Sequence, residues 1–549
     1  MKETFISRIC AAAACLLIMT SIVSAQTSEL GKVEFPTSGS EKAQAHFLRG
    51  LAALHSFWYE EALEAFREST RVEPDFMMGY WGEAMAHNHP LWSEQDTPAA
   101  RAVIAKIRDT PKLTPRERAY LEAIKLLYAE GEKTARDAAY SVAMAKIYDS
   151  YPDDLDAAAF YSLSLLGMVR MEEKSYRLQA QAGAIALNVY HKNPNHPGAA
   201  HYIIHAFDDP EHAILALPAA RRYASIAPEA HHARHMPSHI FLQLGMWPEA
   251  AASNESAWAS SEAWMKRKNL SPSVRDYHSL HWLLYVYLQQ GRYRKAEELL
   301  SLMKKTMSET TYENKLRPGY YENNYANMAA AFIVETERWD LTSSLLQATA
   351  TTASSSGGSH GSHGAGASQS VEVVMRTSNR GARLPIFING LAAAMKNAPL
   401  EQLKASSGNG SGAESPGIAE LEVRALAASI RGEHEKAIQL MTEAVKIEEQ
   451  RGAPSGPPGL IKPAHELFGE ILLRAGKHER AAEQFNTALL RQPNRARSLL
   501  GLARVHAKSG NNAEAANIYG KLLEQWKDAD ADLPELKETR EFLARHQAR

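Results

Sequence analysis

Cysteine is nearly absent. The only two, Cys10 and Cys15, fall within the first fifteen of 549 residues, inside a leader expected to be removed, so disulfides and thiolate metal sites are excluded from the mature chain. An excess of charge of one sign is missing too. Lys and Arg number 61 against 63 Asp and Glu, a balance that offers no basic field to nucleic acid or anionic lipid. After the leader no apolar run reaches the roughly 20 residues of a membrane span, so no transmembrane anchor is expected. Alternating β-branched runs are scarce, which leaves Ala, Leu, Glu, Lys and Arg at helical spacing and points to an all-α fold. Neither a Walker phosphate loop, a HExxH helix nor a dinucleotide fingerprint occurs. The one formal nucleophile-elbow match, Gly357-Gly358-Ser359-His360-Gly361, sits in a Ser/Gly-rich stretch and lacks the strand-to-helix turn that chemistry needs.

The leader itself is legible. Lys2 and Arg8 precede an apolar run from Ile9 to Val23, and Val23-Ser24-Ala25 supplies small residues for a signal peptidase. The chain is therefore expected to be exported, periplasmic or secreted after cleavage near Ala25. A lipid on Cys15 is disfavoured, because Ala12-Ala13-Ala14 gives no leucine-like residue before it. The expected layout is a signal over 1–25, an extension over 26–42, a helical region over 43–350, a low-complexity connection over 351–384 and a second helical region over 385–549. Residues 405–417 and the Pro/Gly-rich 452–458 are shorter breaks.

Within the helical regions a pattern recurs. Gly469, Gly476, Ala481, Phe485, Ala488 and Pro493 form a unit, and Ala503, Gly510, Ala515, Tyr519 and Leu522 repeat its positions 34 residues later. Gly50, Ala62, Phe66 and Pro74 show the same spacing near the N terminus. Small residues let paired helices touch, the aromatic fills the adjoining groove, and proline stops the second helix. Weaker units run through Gly245, Ala250 and Ala257, through Tyr287, Gly291 and Ala296, and through Gly432, Ala437 and Ala444. This pattern resembles the tetratricopeptide repeat family, strongly in the first and last repeats and loosely between them. The resemblance implies a helix-pair solenoid, a right-handed superhelix with divergent middle repeats.

Histidine is the residue that composition does not explain. Of 22 histidines, nine fall between His191 and His239. The pairs His201/His205 and His235/His239 have the i,i+4 spacing that puts both rings on one helix face, and His278 and His281 follow. The repeat register aligns His201, His205, His235, His239 and His278 on successive first helices, whose corresponding positions line the concave groove in tetratricopeptide proteins. These five are the candidate metal ligands. His55, His89, His281 and Glu466 are further groove candidates, whereas His212, His231 and His232 are read as solvent or capping residues.

The segments His201-Tyr202-Ile203-Ile204-His205-Ala206 and His235-Met236-Pro237-Ser238-His239-Ile240 also look like a group of uncharacterised exported bacterial tetratricopeptide proteins, a resemblance that supplies architecture but no reaction. Two functions compete. The leading expectation is an exported scaffold holding a protein or peptide partner in its groove. The alternative is a metalloprotein or metal-dependent enzyme using the cluster between His201 and His281, with zinc, copper, iron or nickel as the ion that imidazole suits.

Overall fold

The computed structural model describes residues 29–169, 175–346, 384–398, 417–459 and 461–546. The leader, the low-complexity stretch with His360 and His363, and most of the break over 405–417 lie outside the described residues. The fold is all-α. Helix follows helix from Glu41–His55 to Pro534–His546, and the only strands among the described residues are the antiparallel pairs Asn88/Gln95 and His89/Glu94. No described helix is long and apolar enough to cross a membrane.

The packing explains the repeated residues. Phe66 is wedged against Gly50 and Gly82, where an added Cβ would come within 2.8 and 2.3 Å of its ring. Phe485 meets Gly469 and Gly501 at the same 2.8 and 2.3 Å. Any side chain at those glycines would push the aromatic out of its groove. The alanines behave alike: Ala62, Ala250, Ala296, Ala481 and Ala515 are all fully buried. Between the two helices of a pair the chain turns through a left-handed residue, which glycine adopts without strain. Gly245, Gly291, Gly432, Gly476 and Gly510 occupy that turn, with φ between 65° and 80°. In the pair Glu41–His55 and Tyr59–Val72 the turn residue is instead Phe57, at φ 52°.

Long-range contacts draw both ends onto the middle. From the first pair, Arg49 bonds Glu229 at 3.2 Å and Lys268 reaches Glu61 and Glu64 at 2.9 and 2.7 Å. Trp58 meets Trp264 edge to face. From the C-terminal side the Trp247 indole N–H donates to the Asn494 carbonyl at 2.9 Å, and the Ala496 N–H to the Gln289 side chain at 2.9 Å. The apolar core follows this division. One cluster runs from Leu30 to Ile240 with Trp264, and a second from Phe241 to Leu543. Helices between Pro197 and Gln289 therefore lie where the two cores meet.

Candidate metal centre

Three first helices of successive pairs bring six histidines together. His201 and His205 lie on Pro197–Ala206, His232 and His235 on the short helix His231–His235, His239 on Pro237–Gln243, and His278 on Tyr277–Gln289. Pro237 interrupts the second of these, because its ring supplies no N–H to the helix. The ligand-capable atoms form two triads, His201/His205/His232 and His235/His239/His278, and within each they lie within 4.8 Å of one another. His201 and His235 are completely buried, so the rings do not line an open groove. The N-terminal repeats close over them. His232, expected at the surface or at a cap, is 8% exposed and belongs to the first triad.

Hydrogen bonds on the far side of three of the rings, His201, His235 and His239, fix their tautomers, as outer partners of metal-binding histidines do. The His201 Nδ1–H donates to the His55 carbonyl at 2.7 Å. The His239 Nδ1–H donates to the Asp208 carboxylate at 2.6 Å, and the His235 Nδ1–H to the Asn254 Oδ1 at 2.6 Å. Asn254 cannot be reversed, since its amide N–H group donates to the Ala250 carbonyl at 2.8 Å. The Nε2 atoms of His201, His235 and His239 therefore point inward as bare acceptors. His201 and His205 approach Nε2 to Nε2 at 3.0 Å, His235 and His239 at 3.2 Å. Two nitrogens bound at about 2.0–2.1 Å to one metal sit about 2.9–3.4 Å apart for angles between square and tetrahedral. Both separations fit. Burial pushes the His201 and His235 imidazoles down to about 3 and drives His205, His232 and His278 well below the ordinary range. Neutral rings are the form that binds metal.

One aromatic ring touches every member of each triad. Phe57 lies 4.3 Å from His201 and 5.8 Å from both His205 and His232, centroid to centroid. Trp282 lies 4.1, 5.1 and 5.6 Å from His239, His235 and His278. Phe57 is also the residue that replaces glycine at the interhelical turn. Left-handed backbone at a bulky side chain costs about 1–3 kcal/mol and concentrates at functional positions. The Pro/Gly-rich break contributes as well. Gly456 packs on Trp282, where an added Cβ would stand 2.6 Å from the indole, and the Gln243 amide links the Pro454 carbonyl at 2.8 Å to Asp208 at 3.2 Å.

The remaining candidates have other duties. His55, Asp156 and His196 form a third buried group of ligand-like spacing, in which both His55 nitrogens are occupied by protein groups while Asp156 Oδ2 and His196 Nε2 have no hydrogen-bond partner. The His55 Nε2–H donates to Asp156 at 2.9 Å while its Nδ1 accepts from the Tyr202 hydroxyl at 2.9 Å. His196 accepts the Ala199 N–H at Nδ1 and turns Nε2 towards Asp156 at 3.4 Å. Burial alone would raise the Asp156 carboxyl, yet these two rings hold it below its usual range. His55 thus serves the first triad through its backbone. His89 stacks on Tyr59 and meets Glu94 at 3.1 Å. His281 lies outside both triads, its imidazole pushed down to about 4 by burial. Glu466 does not join the histidines, because Arg495, Lys462 and Ser498 occupy its oxygens at 2.7, 3.0 and 2.7 Å. His212 pairs with Asp209 and stacks on Tyr176, and His231 faces Asp276 at 3.3 Å.

If the second triad holds a metal, Asp208 positions His239 for it, and that effect is measurable. Asp208→Ala is expected to weaken metal binding by about 10–100-fold in chelator competition, with helicity unchanged. Asp208→Asn, whose amide oxygen still accepts the Nδ1–H, should recover most of it. Equal affinity in all three proteins would show that the carboxylate does not orient His239.

Fold and centre together define a helix-pair repeat protein with a buried polyhistidine site. Residues 43–76 and 467–533 each match a tetratricopeptide repeat model, and the chain carries tetratricopeptide repeats at both ends. Such repeats supply a scaffold of the kind that supports protein interactions. No curated protein matches the sequence. Similar solved structures include a tetratricopeptide repeat protein from Parabacteroides merdae, 13% identical, covering 57% of this chain and 98% of that one with a TM-score of 0.29. The human IFIT1 dimer with m7Gppp-AAAA is 12% identical over 95% of this chain and 92% of that one, TM-score 0.32. The APC/C hetero-tetramer Cut9–Hcn1 is 11% identical over 92% and 96%, TM-score 0.30.

Proposed function

We propose that this chain is an exported metalloprotein whose histidines hold a transition metal inside a tetratricopeptide scaffold. The observation that carries the reading is the contact between His235 and His239. Each ring spends its N–H outward, on Asn254 and on Asp208, so two lone pairs face each other at 3.2 Å. Two acceptors at that distance repel unless a cation lies between them. A proton on either ring is the simplest cation, but burial opposes a charged His235, and a single proton leaves the third ring, His278, without a role. A metal uses all three. Imidazole ligands suit zinc, copper, iron or nickel, and the absence of thiols from the mature chain accords with the oxidising envelope to which the leader points. The repeats at both ends support a partner-binding role beside the metal.

Metal analysis of the exported protein, purified without a polyhistidine tag, tests the proposal. A transition metal in stoichiometric amount that survives dialysis is expected. Trace metal only, with no uptake on adding copper, zinc, iron or nickel salts, would leave the interaction scaffold as the sole reading.

A further inference from the structure

The two triads are not separate sites. His205 of the first and His239 of the second stand with ring centroids 5.8 Å apart, and His232 and His235 stand 5.9 Å apart. Two edges are thus shared by rings of opposite triads. Phe57 and Trp282 each touch all three rings of one triad, and the triads meet each other through these two ring pairs. In the first triad the buried His232 Nε2 has no hydrogen-bond partner, a nitrogen held without any protein group to receive it. Phe57 also lines a cavity walled mainly by Leu54, Met85, Leu127, Phe160 and Leu163, to which none of the triad histidines contributes.

We propose, resting on the metal-centre reading, that the six histidines hold two copper ions, three rings to each, and that the gap between them takes dioxygen as a bridging ligand. The choice of copper follows from charge. All six ligands are neutral, and burying uncompensated charge is costly. Two carboxylates stand just outside the ligands: Asp208, which accepts from His239 at 2.6 Å, and Asp276, two residues before His278 and 3.3 Å from His231. Two copper(I) ions bring half the charge of two divalent ions into this buried set of neutral ligands. Imidazole is also among the usual ligands of copper.

The chemistry balances without a further reagent. Each copper(I) gives up one electron, dioxygen accepts both to become peroxide, and the O–O bond falls from double to single without breaking. The product is two copper(II) ions bridged by a dianion, so the net charge of the centre is unchanged and no proton is needed. A centre confined to low net charge by its ligands can take up this molecule at no electrostatic cost.

The test uses the full exported chain, stripped of metal and titrated anaerobically with copper(I), then exposed to dioxygen. Two equivalents of copper are expected, followed by an intense near-ultraviolet charge-transfer band and no copper(II) paramagnetic signal, because bridged copper(II) ions couple. His232→Ala and His278→Ala should each fall from two equivalents to one, lose the band and show an isolated copper(II) signal after oxidation. The stoichiometry of the unsubstituted protein decides the matter even where a variant fails to fold. A single equivalent with an uncoupled signal would overturn the paired centre while keeping the metalloprotein. Two equivalents with no response to dioxygen would overturn the ligand. Tighter binding of two zinc ions than of copper would overturn the choice of ion. No copper at all, and no other metal, would overturn the metal-centre reading itself.

Discussion

Protein carrying His235→Ala and His239→Ala together is expected to lose the metal of the second triad, keeping at most the ion of the first, and to unfold well below the metal-loaded parent. These rings make the closest inward contact of the second triad, and their outer partners Asn254 and Asp208 hold them in place before any ion arrives. Losing two of three ligands to one ion leaves a site of one imidazole, too few for a transition metal to be retained. Metal that binds only the folded chain stabilises it by mass action, about 4 kcal/mol when free metal is a thousand times the dissociation constant. The variant also loses packing against Trp282, so the informative comparison has three arms. The gap between metal-loaded parent and variant should be large, and that between metal-stripped parent and variant small. His212→Ala, whose ring is occupied by Asp209 and Tyr176 outside both triads, should keep its metal. Full metal content in the double variant would place the ion elsewhere.

The repeat register carried most of what the sequence could say about this site. Helical spacing and the alanine and glycine positions put His201, His205, His235, His239 and His278 on first helices of neighbouring pairs, and the structure brings all five together. What register could not supply is the folding back of the chain. Local periodicity fixes how a pair packs on the next, but Phe57 reaches the first triad through contacts about 145 residues or more away in sequence, which no short-range pattern encodes. A signal existed nonetheless. Five other pairs turn through glycine, and Phe57 stands in that position at a conformational cost, so a bulky residue at a glycine position marked a place under functional constraint. His232 was missed because it precedes His235 by three residues on a helix of one turn, where neither i,i+4 spacing nor the repeat template singles it out. The stretch 452–458 reads as a break from composition alone. Gly456 is there because Trp282 leaves no room for a Cβ.

Glu466 shows the opposite error and leads to a second large effect. Register placed it on the histidine-bearing face, but a carboxylate that is fully buried must be paired, and the partner here is Arg495. Arg495 has no exposed surface and donates to Glu466 at 2.7 and 3.1 Å, to the Tyr285 hydroxyl at 2.9 Å and to Glu335 at 2.5 Å. The cluster ties the C-terminal helices to Tyr277–Gln289 and Tyr320–Thr336. Arg495→Met is therefore expected to destabilise the chain by about 3–5 kcal/mol, the usual result of breaking a buried ion pair from one side. Most of that loss comes from charge left behind. Glu466 keeps Lys462 and Ser498, but Glu335 keeps no cation on its carboxylate among the described residues. Replacing Glu335 with Met in the same protein should then restore a large part of the stability, since no buried carboxylate is stranded. Urea unfolding of the three proteins, followed by far-ultraviolet circular dichroism, reads the shifts in midpoint. A double variant as unstable as Arg495→Met would mean that the lost hydrogen bonds across the helices, and not the stranded Glu335 charge, set the cost.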